Sequence, residues 1–419
     1  MNILFITPYV PNLIRVRPYN FLRTLSNRGH KVSVLTLYTS AAEREDAQRL
    51  SEDSHAVYAL PLTRWRSYWN CLLALSSDYP LQTGYCWQPD LANEISNLLA
   101  NGHHDQEPFD VIHVEHLRGV RYALFAQQQA VQSGKFVPPV VWDSVDSISL
   151  LFREAAQKSQ NQMGKIMTKF ELKRTEKYEA WLASQLKHIV LTSPRDKEYY
   201  LSLLQPEDSN GMDSSITVVP NGVDLEYFKP DPSITREPAS LVVSGKMSYH
   251  ANIAMVIHLV KDIMPKVWNQ RPETRLVIVG KDPSKEIRVL AKNPQVTVTG
   301  TVDDIRPYLQ RATVAVSPTT YGAGIQNKVL EAMACATPTV ASPIAVSALD
   351  TEEGQDLLVA DNPTDFANTI LELIQNPTWS ADIGANGRHF VETNHDWNKL
   401  TTRLERIYQR ATDRNIERR

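Results

Sequence analysis

Lys328 and Glu331 follow the segment Tyr321-Gly322-Ala323-Gly324-Ile325 and stand three residues apart. In a helix that spacing puts both on one face. Gly322 and Gly324 admit backbone angles closed to other residues and let the main chain come close to a ligand. A helix opened by such a turn presents free N–H groups and the positive end of its dipole, which suits a phosphate. An ammonium beside the phosphates, with a carboxylate one turn on to accept from ribose hydroxyls, fits a nucleoside diphosphate.

Positioning these groups takes a strand that runs into the turn and a helix that leaves it. Residues 313–317 read as that strand, the helix ends near Thr337, and a second buried strand follows at 339–342. The same alternation runs through the chain. Strands are predicted at 2–7, 31–37, 111–115, 140–143, 188–192 and 216–219, and again at 241–245, 275–280 and 295–299. Helices fill the gaps, among them 18–28, 91–99 and one long run over about 152–186. Such alternation predicts an α/β protein with mostly parallel sheets covered on both faces, in two doubly wound, Rossmann-like units. The proline-rich passage 229–238 separates them, giving domains at 1–232 and 240–390, with a helix over 391–419 crossing back to the first. Ligands of doubly wound sheets bind at the carboxyl ends of the strands, so the cleft between the domains is the expected site.

Composition narrows the class. A chain of 419 residues exceeds the roughly 250–300 residues at which single cores stop growing. A net charge of −3 exerts no global pull on nucleic acid or anionic lipid. Cys71, Cys86 and Cys335 form no CxxC pattern and leave one unpaired, which reads as reduced thiols in a cytosolic protein. Residues 1–7 lack a basic leader, Pro8 ends the first apolar run, and no window reaches about 18 uncharged apolar residues. The expectation is a cytoplasmic protein, with contact at the inner face of the membrane left open.

On these residues the chain resembles glycosyltransferase family 4, whose members have the two-domain GT-B fold and move a sugar from a nucleotide-sugar donor. The strongest matches are VPNGVD at 219–224, followed by Phe228 and Pro230, and the segment 322–338 with LEAMA at its centre. Supporting matches are RGHKV at 28–32, DVIH at 110–113 and LTSPRD at 191–196. The resemblance implies retention of configuration, no metal, and a UDP- or GDP-sugar as co-substrate. It also implies donor contacts at Gly245, Asn252, Gly280, Val302, Tyr321, Gly322, Ala323, Gly324, Ile325 and Glu331. Val302 would meet the nucleobase through its main chain, and Glu331 the ribose.

Several positions depart from the family pattern. Ala323 stands where the family usually has the first of two glutamates. Lys246 can replace the usual arginine after the first strand of the second domain, while Ala251 takes the place of the usual lysine. Asn252 would cap the helix that follows. The first loop, PYVPNLIRVRP at 8–18, lacks paired glycines and offers Arg15 and Arg17 instead, for acceptor or phosphate. Lys246, Lys328 and the amides around Gly324 and Ile325 would offset the charge growing on the departing phosphate.

In the first domain a base or hydroxyl-positioning group is expected at Glu115 or His116, with His113 structural. Asp303 reads as a helix N-cap. Lys165, Lys169, Lys173 and Lys177 form a stripe that can lean on an anionic membrane, although Glu171, Glu176 and Glu179 favour a plain solvated face. The aromatic span from Trp65 to Trp87 fits either an acceptor or lipid-glycan groove, or core packing. The acceptor expected from the resemblance is a glycan, a lipid-linked intermediate or a natural product, with no nucleic acid as partner. Two alternatives stand beside transfer: a nucleotide-sugar epimerase of similar architecture, and a non-catalytic nucleotide-sugar-binding protein.

Overall fold

The structure, a computed structural model, describes residues 1–101, 107–132, 134, 136–158, 162–204, 214–321 and 325–416. Gly322, Ala323 and Gly324 lie outside the described residues, as does the side chain of Lys165. The chain divides into two compact units, Met1–Pro220 with Thr401–Arg419, and Asn221–Leu400.

Among the described residues, the first unit holds a seven-stranded parallel sheet. Its strands are β1 (Asn2–Ile6), β2 (Lys31–Tyr38), β3 (Ala56–Pro61), β4 (Val111–Glu115), β5 (Val140–Val145), β6 (Ile189–Leu191) and β7 (Ile216–Val218), in the order β3-β2-β1-β4-β5-β6-β7. The second unit has six parallel strands: β8 (Ser240–Ser244), β9 (Arg275–Val279), β10 (Val296–Gly300), β11 (Val314–Ser317), β12 (Thr339–Ala341) and β13 (Leu358–Val359). Their order is β10-β9-β8-β11-β12-β13. In both sheets the strand order reverses once, between β1 and β4 and between β8 and β11. That switch point opens a crevice at the carboxyl ends, where doubly wound folds bind ligands.

Most strands follow the predicted apolar runs because central parallel strands are buried on both faces. β1 and β4 are buried along their whole lengths. Two strands escaped the sequence reading. β3 is an edge strand, half-buried along most of its length, so its sequence shows no dense apolar run. β13 is only two residues long.

The long helical run is divided into helices Ile148–Lys158 and Gln162–Gln185. They pack side by side, and Glu179 of the second accepts from the Ile148 and Ser149 amides that open the first. Glu179 is therefore a buried cap, and Glu171 is buried too, accepting from the Leu81 amide at 2.9 Å. These two glutamates therefore do not belong to the solvated face expected of them, because both carboxylates satisfy helix-end N–H groups.

The passage 229–238 belongs to the second unit, where Arg236 donates to the carbonyls of Gln310, Ala312 and Ala336. The last helix, Trp397–Ile416, contributes Thr401 onward to the first unit. There Tyr408 bonds His113 Nδ1 at 2.9 Å, and Glu405 pairs with Arg28 and His30. The three cysteines are free. No helix among the described residues is long and apolar enough to cross a membrane.

Candidate functional site

At the second switch point, β8 ends in Gly245 and Lys246, and β11 leads through Tyr321 to helix Asn327–Ala334. Among the described residues the helix start has no side-chain cap; the Val329 amide donates to the Gln326 carbonyl at 2.9 Å, and the amides before it are placed to meet a ligand. Lys328 sits in its first turn. Its Nζ donates to Asn252 Oδ1 at 2.9 Å and to Gln326 Oε1 at 3.1 Å. Burial pushes the ammonium down to about 8, against the pull of Glu331. Glu331 is pushed up to about 7 by the same burial, with Lys328 opposing. Two oppositely charged groups thus share a desolvated helix face, and a polyanion arriving there would favour the charged lysine.

Asn252 is not the cap expected from the sequence. It lies inside helix His250–His258, whose N-cap residue is Tyr249. Its Nδ2 donates to the Lys246 carbonyl at 3.0 Å while its Oδ1 holds Lys328. One buried amide therefore ties the end of β8 to the helix after β11. Space for this is made by glycine: a Cβ on Gly245 would stand 2.8 Å from Asn252 Nδ2, and one on Gly280 only 1.7 Å from the Gly245 carbonyl oxygen. The Lys246 side chain is exposed beside this knot.

Tyr321 stacks on His250 at 5.5 Å, and its hydroxyl meets His250 Nδ1 at 2.9 Å. Ile325 is buried in a cluster with Val329 and Leu330. Val302 is half-buried just beyond β10. Asp303 is exposed and is not the expected cap: Ile305 holds the N-cap position with no side-chain cap bond, while Asp304 accepts from the Arg306 amide and pairs with its guanidinium. The next carboxylate has the reach to the first turn of helix Arg306–Arg311 that Asp303 lacks.

At the first switch point, β4 ends at Glu115 and His116 opens helix His116–Gln132 with φ +64°. Val145, closing β5 next to it, has φ +69°. Two non-glycine residues in the left-handed region at adjacent strand ends store about 1–3 kcal/mol each, a mark of functional sites. Glu115 is 1% exposed and accepts from Thr7 Oγ1 at 3.1 Å. Burial and then Asp143 push its carboxyl up to about 8, with Arg17 opposing. His116 is held down to about 3 by burial, and its Nδ1 accepts from the Arg118 amide. At neutral pH Glu115 is mostly protonated and His116 is neutral, with Nε2 carrying the ring proton. Both are then hydrogen-bond donors. His113 is fully buried, stacked on Phe5 at 4.1 Å.

The two loop arginines have internal partners. Arg17 is buried, with Nε on Asp143 Oδ2 at 2.8 Å and Nη1 on the carbonyls of Val219 and Pro220. Arg15 pairs with Glu43 at 2.9 Å and lies over the Tyr9 ring. The sequence reading missed Asp143 and Asp146. The only local signal was a pair of carboxylates at a strand end, and Asp143 acquires its meaning from Arg17, far away in the chain. Asp146 is raised to about 6 by burial and by Asp196, with Thr192 opposing.

The raised Glu115 has a measurable consequence. Its folded pKa exceeds its unfolded value, so its contribution to stability is present at low pH and is lost as pH rises through about 8. Glu115→Gln, isosteric and neutral, should flatten the decline of thermal stability between about pH 5 and pH 8. An unchanged slope in the variant would assign the decline to Asp143 or Asp146 instead.

Two parallel Rossmann-like units of this strand order, with strand-end sites at their switch points, define the GT-B class of α/β proteins. Anabaena Alr3699/HepE in complex with UDP superposes with a TM-score of 0.66 at 14% identity, covering 97% of this chain and 99% of that one. Sucrose-phosphate synthase from Thermosynechococcus elongatus gives 0.65 at 16% identity, covering 98% and 99%. At such identities the likeness speaks to fold.

Residues 238–376, a stretch that includes Lys328 and Glu331, match the family model of Glycosyl transferases group 1. Curated relatives include a GDP-mannose-dependent monoacylated alpha-(1-6)-phosphatidylinositol monomannoside mannosyltransferase of Corynebacterium glutamicum, 28% identical over 46% of this chain and 55% of its own length. Another is the phosphatidyl-myo-inositol mannosyltransferase of Mycobacterium leprae, 23% identical over 47% of this chain and 54% of its own. The chain spans about half the length of the curated relatives it matches.

Proposed function

We propose that this protein transfers a glycosyl unit from a UDP- or GDP-sugar to a carbohydrate, lipid-linked or natural-product acceptor, with retention of configuration. The supporting observation is Lys328, a desolvated ammonium fixed by Asn252 and Gln326 at an uncapped helix start. Negative charge grows on the β-phosphate as the glycosidic bond breaks. A preorganised cation in a dry site offsets it without reorganising, so no metal is required by this reading. Lys246 supplies a second cation from the end of β8. Glu331 accepts from the ribose, Tyr321 and Ile325 meet the diphosphate, and Val302 and Gly280 border the base. In the first unit Glu115 and His116, both donors at neutral pH, orient the acceptor.

A thermal-shift series with UDP-, GDP-, ADP- and dTDP-sugars tests the donor. One base class should stabilise the protein, by about 2.7 kcal/mol at a hundredfold excess over Kd. Glu331→Ala should weaken that donor about 10-fold or more. If no nucleotide sugar shifts the melt, the reading fails, and an unchanged donor affinity in Glu331→Ala removes the ribose contact. A donor that binds but is never turned over, across a broad set of acceptors, would favour a binding protein. Epimerisation of donor alone would favour an epimerase.

A further inference from the structure

Helix Arg64–Leu75 is mounted with its apolar side outward. Ser67, Asn70 and Ala74 face into the first unit, whereas Trp65 is 77% exposed, Trp69 61% and Leu73 66%. Tyr68 and Leu72 are exposed as well. These five recur at three- and four-residue spacing, so they form one stripe along the helix. A surface helix ordinarily turns such a stripe to the core, and a contiguous exposed apolar patch marks a place where something else binds.

The orientation is built in. Thr63 caps the helix by accepting from the Arg66 amide. Asn70 Nδ2 donates to the Trp87 carbonyl at 2.8 Å. Gly84 lets the backbones meet, since a Cβ there would stand 3.2 Å from the Asn70 carbonyl oxygen. Rotating the stripe inward would break these polar contacts and bury Trp65 and Trp69 where small residues now fit.

The neighbouring helix Gln162–Gln185 extends the same surface. Arg174 Nη2 joins the two by donating to the Ala74 carbonyl at 2.5 Å and to the carbonyls of Ser77 and Tyr79. Beside this joint the second helix exposes Phe170 and Trp181 together with Lys169, Lys173 and Lys177. Its carboxylates are turned away: Glu171 and Glu179 are buried, and Glu176 is held by Arg153 and Tyr199. On Arg64–Leu75 the charged residues are Arg64 and Arg66, both exposed. Outward-facing tryptophans rimmed by cations, with no exposed carboxylate on either helix among the described residues, have a specific complement. Tryptophan and tyrosine settle at the boundary between hydrocarbon and headgroups, and basic side chains meet anionic headgroups there. A second copy of this chain across a two-fold axis would instead set the basic rim against itself.

We propose that this face docks on an anionic lipid bilayer, with Trp65, Trp69, Leu72 and Leu73 entering the interface and Arg64, Arg66 and the lysines at the phosphates. This deepens the proposed function by placing the acceptor-binding unit at a membrane, yet the assay below reads lipid binding and needs no turnover. The full chain should co-sediment with phosphatidylcholine vesicles doped with phosphatidylglycerol, stay in solution with phosphatidylcholine alone, and be released by salt. The variant Trp65→Ser/Trp69→Ser/Leu72→Ser/Leu73→Ser should bind about 100-fold more weakly or worse, with its melt unchanged because none of the four is in the core. If that variant folds poorly, Lys173→Glu/Lys177→Glu on the other helix carries the test and should also weaken binding. Wild-type protein that ignores the anionic vesicles overturns the proposal, as does a folded serine variant that sediments equally well. A wild-type dimer that the serine variant renders monomeric, with neither binding vesicles, overturns it in favour of self-association.

Discussion

Lys328→Ala is expected to abolish measurable transfer and to weaken nucleoside diphosphate binding. Removing one preorganised donor from a site where charge develops costs about 10²–10³ in turnover. This donor also carries a full charge in a desolvated setting. The fold should survive, since the side chain is half-buried and Asn252 keeps its other bond, from Nδ2 to the Lys246 carbonyl. A melt close to wild type would confirm that the loss is one of function. The pH dependence supplies a second readout. Lys328 is lowered to about 8, so its charge is present below that pH and lost above it. Donor affinity should therefore fall as pH rises past about 8, and Lys328→Arg, always charged, should remove that fall. Wild-type turnover in Lys328→Ala would refute the role.

Gly280→Ala should be the most damaging small substitution in the second unit. Its φ is +151°, and the added methyl would stand 1.7 Å from the Gly245 carbonyl oxygen and 2.8 Å from its carbon. Both neighbours are backbone, and Gly245 is itself fixed by its amide on the Val279 carbonyl at 3.2 Å. The ends of β8 and β9 would have to part, at a cost of about 4 kcal/mol or more. Gly300→Ala is the control: its φ is +74°, but nothing lies within 4 Å of the added methyl, so only the left-handed backbone term of about 1–2 kcal/mol remains. Urea midpoints compare the two. Equal losses would show that backbone angle alone, and no close approach, makes glycine necessary at 280. Gly245→Ala should fall between them in stability yet impair donor binding, because its methyl would displace the Asn252 amide from both Lys246 and Lys328.

Local spacing carried much of this protein openly. Strands such as β4 and β5 were legible because a central parallel strand must be apolar on both faces, and that leaves a dense run in the sequence. The half-buried β3 left no such run. The pairing of Lys328 with Glu331 on one face followed from helix geometry alone, and both groups stand where that geometry put them. Glu171 and Glu179 read as surface charges because a glutamate in a lysine-rich helix ordinarily is one. Their burial depends on amides of Leu81, Ile148 and Ser149, brought to them from other parts of the chain.

The order of strands and helices, the two glycine-marked strand ends and the start of the helix that carries Lys328 were therefore determined by residues close together in the chain. The tertiary structure alone decided that Asn252 clamps Lys328 to the end of β8, that Arg17 answers Asp143, and that the stripe of Trp65 and Trp69 faces outward. Periodicity defines a stripe but not the side it presents, since a core and a bilayer both select apolar residues at the same spacing. Polar partners distant in sequence meet only when folding removes water from between them, and that desolvation also sets their pKa values.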